Sequence, residues 1–191
     1  VLTGITIASS ISNQGTVIGA RTGISFSSGA ALLSGITNSG LIQGGIGISL
    51  INATLGGGIN NSGEIQGITF AGLHMGGGSL AGGIANQVNA TIAGVLEGIA
   101  LSRGTVVGGL TNAGLISSTT TAALRISTAN IQGGINNAAG ASITGGPSAI
   151  SMWAADIRGG ITNAGLVQAA GAALFDNASR ITAAIDNLNG T

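Results

Sequence analysis

Eight asparagines, at Asn13, Asn38, Asn61, Asn86, Asn112, Asn137, Asn163 and Asn187, mark a segment that returns about every 25 residues along the chain. Where the segment is most complete it reads Gly-Ile-x-Asn, then Gly, then Ile or Val. A self-similar period of about 20 to 50 residues is the signature of a solenoid, in which each repeat buries its apolar face only by stacking on its neighbours. Residues 1–191 therefore read as a single repeat array, expected to be a fragment or one subunit of a longer rod.

Aligned on the asparagine, aliphatic residues fall into columns. The first is Ile7, Leu32, Leu55, Leu80, Val106, Ile131, Ile157 and Ile181, and the second is Ile11, Ile36, Ile59, Ile84, Leu110, Ile135, Ile161 and Ile185. After the asparagine comes a third column, Val17, Ile42, Ile65, Ile92, Ile116, Ile143 and Val167, with two extra residues ahead of it in the repeats of Asn86 and Asn137. A fourth segment alternates Ile24 with Phe26, Ile48 with Leu50, Ile68 with Phe70, Ile99 with Leu101, Leu124 with Ile126, and Ile150 with Met152. Even steps return to one face of a strand, whereas Gly and β-branched residues fill every segment that could be tried as a helix. The prediction is an all-β, single-stranded parallel β-helix (β-solenoid). It has three short strands per rung and roughly seven to eight rungs spaced ~4.8 Å apart.

Composition narrows the function classes. Hydrophobic residues make up 44 % of the chain, enough apolar surface to argue against disorder despite 37 glycines. Charged residues are 5 %, Lys is absent and the formal net charge is zero, which removes the electrostatic basis for binding nucleic acid. No run approaches the ~18 apolar residues of a spanning helix. The strands are too short for a membrane barrel at ~9 residues or more, so the chain is expected not to span a membrane. The first residues, Val1 to Ile7, show no signal-peptide pattern, and without Cys no disulfide contributes.

Few residues can carry chemistry. The asparagine repeats the inward phase of the second column, and its amide offers donors and an acceptor, so stacked copies are expected to form a structural ladder. The acids are Glu64, Glu97, Asp156, Asp176 and Asp186, placed by the alignment on different sides or several rungs apart. A glycosidase pair at about 5 to 9.5 Å is not expected from them. Asp156 and Arg180 precede the same column in adjacent rungs and are expected to form an outward cross-rung ion pair. His74 reads as part of a glycine-rich turn with no second ligand, which gives no metal site, and no cofactor is implied. The runs Gly56 to Gly58 and Gly76 to Gly78 lack the helix and Lys of a phosphate loop and read as solenoid corners. Trp153 is expected to fill a corner. Ser10, Gly35, Gly58, Gly83, Gly109, Gly134, Gly160 and Ala184 read as a bare outward stripe, with Leu41, Leu115 and Leu166 as a lateral docking row.

The iterated Gly-Gly-Ile-Thr-Asn-Ala-Gly-Leu-Val-Gln at Gly159 to Gln168, and Gly-Gly-Ile-Asn-Asn-Ser-Gly-Glu-Ile-Gln at Gly57 to Gln66, resemble the passenger solenoids of bacterial autotransporters and large repeat adhesins of Gram-negative surfaces. The resemblance implies a non-enzymatic cell-surface or extracellular stalk, adhesin or matrix fibre, with its own copies and a host or matrix surface as partners. A carbohydrate-binding or carbohydrate-degrading β-helix and a curli-like functional amyloid are the alternatives. Uncapped ends suggest end-to-end association. Gly190-Thr191 followed by Val1-Leu2 would read like Gly15 to Ile18, so one copy could complete the last rung of another.

Overall fold

The computed structural model describes residues 1–188 and is a β-solenoid of about seven turns, built from parallel strands in three sheets. Gly190 and Thr191, on which the proposed junction rung depends, lie outside the described residues. Every aliphatic column is a run of register partners: Ile7 pairs with Leu32, Leu32 with Leu55, Leu55 with Leu80 and Leu80 with Val106. The second column and its asparagines share the strands Ile36–Asn38, Ile59–Asn61, Ile84–Asn86 and their equivalents, which make up one sheet. The third column lies on Leu41–Gly44, Glu64–Gly67, Thr91–Gly94 and their equivalents, a second sheet.

The largest sheet joins the fourth segment to the first column across a bend, so each rung carries four strand segments in three sheets rather than three. In two rungs the bend is shallow enough that a single ten-residue strand runs through it, Ile46–Leu55 and Ala71–Leu80. The bend is a stacked column of left-handed residues: Gly4, Ser28, Asn52, Gly77, Arg103, Thr128, Ala154 and Ala178 all have φ between 47° and 86°. Their N–H groups stay in the stacking pattern, as where Thr128 donates to Trp153 O at 2.8 Å and Ala154 to Asn177 O at 2.9 Å. The inter-rung bonds thus hold a conformation that a side chain disfavours. At the β-branched Thr128, φ 52°, the strain costs roughly 1 kcal/mol or more. Thr128→Gly is expected to raise the urea midpoint of unfolding, by about 1 kcal/mol in stability; an unchanged or lower midpoint would show that the corner is not strained.

The extra residues before Ile92 and Ile143 close as turns, with Ala90 N–H on Gln87 O and Ala141 N–H on Ala138 O, both at 3.1 Å. Asn89 and Gly140 supply their positive φ. One predicted alignment is corrected. Ile68 and Phe70 are not in the fourth column: Ile68 is half exposed, and the register places Leu73 beside Ile48 and Ile99, with Met75 beside Leu50 and Leu101. The chain takes eight steps from Ile65 to Leu73, as it does from Ile116 to Leu124 and two more than from Ile42 to Ile48, and the Ile68-Thr69-Phe70 loop in this corner imitates the alternation of a strand. His74 consequently lies within a strand rather than in a turn.

The predicted bare glycine stripe is corrected too. Gly83, Gly109, Gly134 and Gly160 are buried, with φ of 76° to 79°. A Cβ on Gly109 would lie 2.7 Å from the backbone of Gly133 and Gly134 in the next rung. Glycine is required here because its missing side chain would point along the rod, into its neighbour. The stripe is a close-packed corner and not a docking face.

Candidate functional site

Inside the rod, the polar groups are saturated by each other. Asn13 Nδ2 donates to Asn38 Oδ1 at 2.8 Å, Asn38 to Asn61 at 2.8 Å, Asn61 to Asn86 at 2.9 Å and Asn86 to Asn112 at 2.9 Å. The chain of amides continues through Asn137 and Asn163 to Asn187, each step at 2.8 Å. The same amides also bond the turn that follows in the next rung, as Asn112 Nδ2 does to Ser142 O at 3.0 Å. From Asn38 to Asn137 the spine is buried and offers nothing to a ligand.

The chemistry-bearing side chains gather instead on the outer face of the largest sheet. One of its strands begins at Glu97, followed by Gly98 and Ile99. A Cβ on Gly98 would face Ile116 Cγ2 at 2.8 Å, so Gly98 and Ile99 both turn inward and the strand phase slips by one. Glu97 is thereby sent outward, where Arg125 of the next rung, on the outer phase beside Ala100, meets it at 3.6 Å. The outer row through the middle of the sheet runs Ser25, Ser49, His74, Ala100, Arg125, Ser151, Phe175 in successive rungs. Beside it run Ile51, Gly76, Ser102, Ser127 and Trp153.

Two hollows flank this row. One, of about 360 Å³, has Asn52, His74, Ser102 and Arg103 around a floor of Gly76–Gly78. The other, of about 240 Å³, holds Glu97, Thr121, Arg125 and Ser151. His74 stands edge-on to Phe70, ring centroids 5.4 Å apart, and its Nδ1 is buried without a hydrogen-bond partner among the described residues. Burial, with a smaller contribution from the Arg125 charge, lowers the imidazole pKa and keeps the ring neutral at pH 7.

Glu97 is 4 % exposed, and burial raises its carboxyl pKa against the opposing pull of Arg125. The sign follows from linkage. A carboxyl whose folded pKa exceeds its unfolded value of about 4.3 favours the fold fully below that value, and the contribution is lost as pH rises through the folded pKa. Glu97→Gln is therefore expected to flatten the fall in stability above pH ~4.3, measured as urea midpoints at intervals up to pH 7; parallel curves for the two proteins would sink the assignment.

Other expected site residues fall as follows. Asp156 and Arg180 are register partners, but the carboxylate takes Arg158 instead: Arg158 Nε donates to Asp156 Oδ2 at 3.0 Å. Residues two apart share the outer phase, so Arg158 reaches Asp156 within its own rung. Leu41 and Leu115 are half-buried on the outer row of their sheet, and Leu166 is 48 % exposed. Trp153 fills no corner: it stands out from the largest sheet, 56 % exposed. Gly76–Gly78 and Gly56–Gly58 occupy different corners, the former at the left-handed bend. Asn52, Arg103 and Arg125 were not singled out by sequence reasoning. The usable signal was spacing: Leu73 lies 25 residues from Ile48 and 26 from Ile99, matching the period where Ile68 does not. In comparisons with known families, curated proteins and solved structures, nothing matches this chain.

Proposed function

We propose that the chain is a non-enzymatic structural rod, the stalk of an extracellular or cell-surface fibre or adhesin, which self-associates through its charge-poor faces. The observation that carries this reading is the unbroken amide spine, bonded rung to rung from Asn13 to Asn187. A ladder that spends its polar groups on stacking favours length and stiffness over a catalytic cavity. Supporting it, Glu97 faces Arg125 rather than a second carboxylate, and its hollow holds no other acid among the described residues. With only five acids and five arginines, the outer faces carry little charge to repel a neighbouring rod. The resemblance to autotransporter passengers and repeat adhesins is what supports a Gram-negative surface as the proposed location, with copies of itself and a host or matrix surface as proposed partners.

Lateral contact would run along the outer row holding Leu41, Leu115 and Leu166, while free strand edges of an end rung would pair with another rung of the same array or of a second copy. Electron microscopy and sedimentation of concentrated protein test both routes. Wild-type chains are expected to form bundles or fibres, and Leu115→Lys combined with Leu166→Lys is expected to abolish bundling while leaving single rods. Monodisperse rods at all concentrations, indifferent to the two lysines, would remove self-association from the reading.

A further inference from the structure

The repeat explains nearly every side chain by stacking, yet at the rungs of Asn52, His74 and Arg103 it is broken in several ways at once. The chain's one histidine stands there, the Ile68-Thr69-Phe70 loop sets an aromatic ring against it, and both ten-residue strands run through these rungs. Gly76–Gly78 strip the floor of side chains: a Cβ on Gly76 would lie 2.8 Å from Ile51 Cδ1, and one on Gly77 only 2.4 Å from Asn52 Oδ1. The Asn52 amide thus leans over Gly77 at the rim.

We propose that this cleft binds a sugar acid, a small polyhydroxylated molecule bearing a single carboxylate. Among the described residues Arg103 is the only charged one lining it, so an anion enters unopposed and can be held by two parallel N–H donors. The remaining polar groups, the Asn52 amide, the Ser102 hydroxyl and the His74 imidazole, offer donors together with acceptors, which is the pattern that hydroxyl groups satisfy and that a bare anion does not need. The Phe70 edge packs against the ring, whose Nε2 lies over the glycine floor, 3.9 Å from where a Gly76 Cβ would be. A single guanidinium, with no Lys in the chain and no helix start, suits a carboxylate monoanion better than a phosphate. At about 360 Å³ the cleft is within the range of small-ligand sites. The site stands whether or not the rod self-associates.

The lone histidine makes the test direct, because its imidazole gives one set of side-chain NMR signals in the whole protein. Titration of the chain with glucuronate is expected to shift those signals saturably, with glucose, acetate and inorganic phosphate each at least tenfold weaker. Arg103→Gln is expected to weaken glucuronate at least tenfold and Asn52→Ala severalfold, whereas Arg21→Gln, on an exposed residue away from the cleft, leaves it unchanged. Acetate or phosphate binding as well as glucuronate would reduce the cleft to a general anion site, and glucose binding as well would remove the carboxylate anchor. Either result, no saturable shift, or full affinity in Arg103→Gln, overturns the proposal. Because Arg103 is exposed, its variant keeps the rod folded, and unchanged far-ultraviolet dichroism verifies that.

Discussion

Asn112→Leu is expected to destabilise the rod by about 3 to 5 kcal/mol, although leucine is larger, more apolar and nearly isosteric in its branching. The side chain is fully buried, and its Nδ2 donates to Asn137 Oδ1 at 2.8 Å, to Ser142 O at 3.0 Å and to Gly114 O at 3.1 Å. Its Oδ1 accepts from Asn86 Nδ2 at 2.9 Å and from Gly114 N at 3.3 Å. Leucine leaves these partners in the core without replacements, at roughly 1 to 3 kcal/mol for each group truly stranded, and the hydrophobic gain offsets only part of that. Urea unfolding followed by circular dichroism gives the number. The position matters as much as the size. A solenoid is stabilised by nearest-neighbour terms, so hydrogen exchange should show lost protection concentrated in the rungs of Asn86, Asn112 and Asn137 and little change at distant rungs. A midpoint within experimental error of wild type would mean that the ladder contributes register and no stability.

Gly109→Val should cost at least as much, by a different mechanism. Gly109 is buried at φ 76°, and a Cβ there meets the Gly133 and Gly134 backbone at 2.7 Å, so valine adds a disfavoured conformation to a collision with atoms that cannot rotate away. Relief requires separating two rungs, and the expected loss is about 4 kcal/mol or more, read as failure to accumulate folded protein or as a collapsed urea midpoint. Gly140→Ala is the control. Its φ is 79°, but no atom lies within 4 Å of the added Cβ, so only the backbone strain of roughly 1 kcal/mol applies. Equal losses in the two variants would show that backbone conformation, and not stacking distance, sets the requirement for glycine.

The positions that proved legible in advance share one property: they recur. Ile36, Ile59, Ile84 and Leu110 are register partners one after another, as their common distance from the asparagine requires. Where a rung departs from its neighbours, pattern reading failed in a characteristic way. Ile68 and Phe70 alternate as a strand would, yet they lie in the corner, and the true core pair comes five residues later at Leu73 and Met75. That slip carried His74 out of its strand and hid the row it shares with Ala100 and Arg125. Likewise, the bend at Gly98 and Ile99 reverses the phase of Glu97, and a one-residue slip exchanges the two faces of a strand.

The periodic sequence alone therefore determined the β-solenoid, its rung length, its aliphatic columns and the residues of its amide spine, because stacked copies interact like with like and their register is a property of spacing. The tertiary structure alone decided what lies on the outside: the pairing of Glu97 with Arg125 and of Asp156 with Arg158, the burial of the glycine corner, and the cleft beside His74. The physical reason is that inward positions are repeated under the same packing demand in every rung, whereas outer neighbours depend on how each corner is turned and on which residues an insertion displaces.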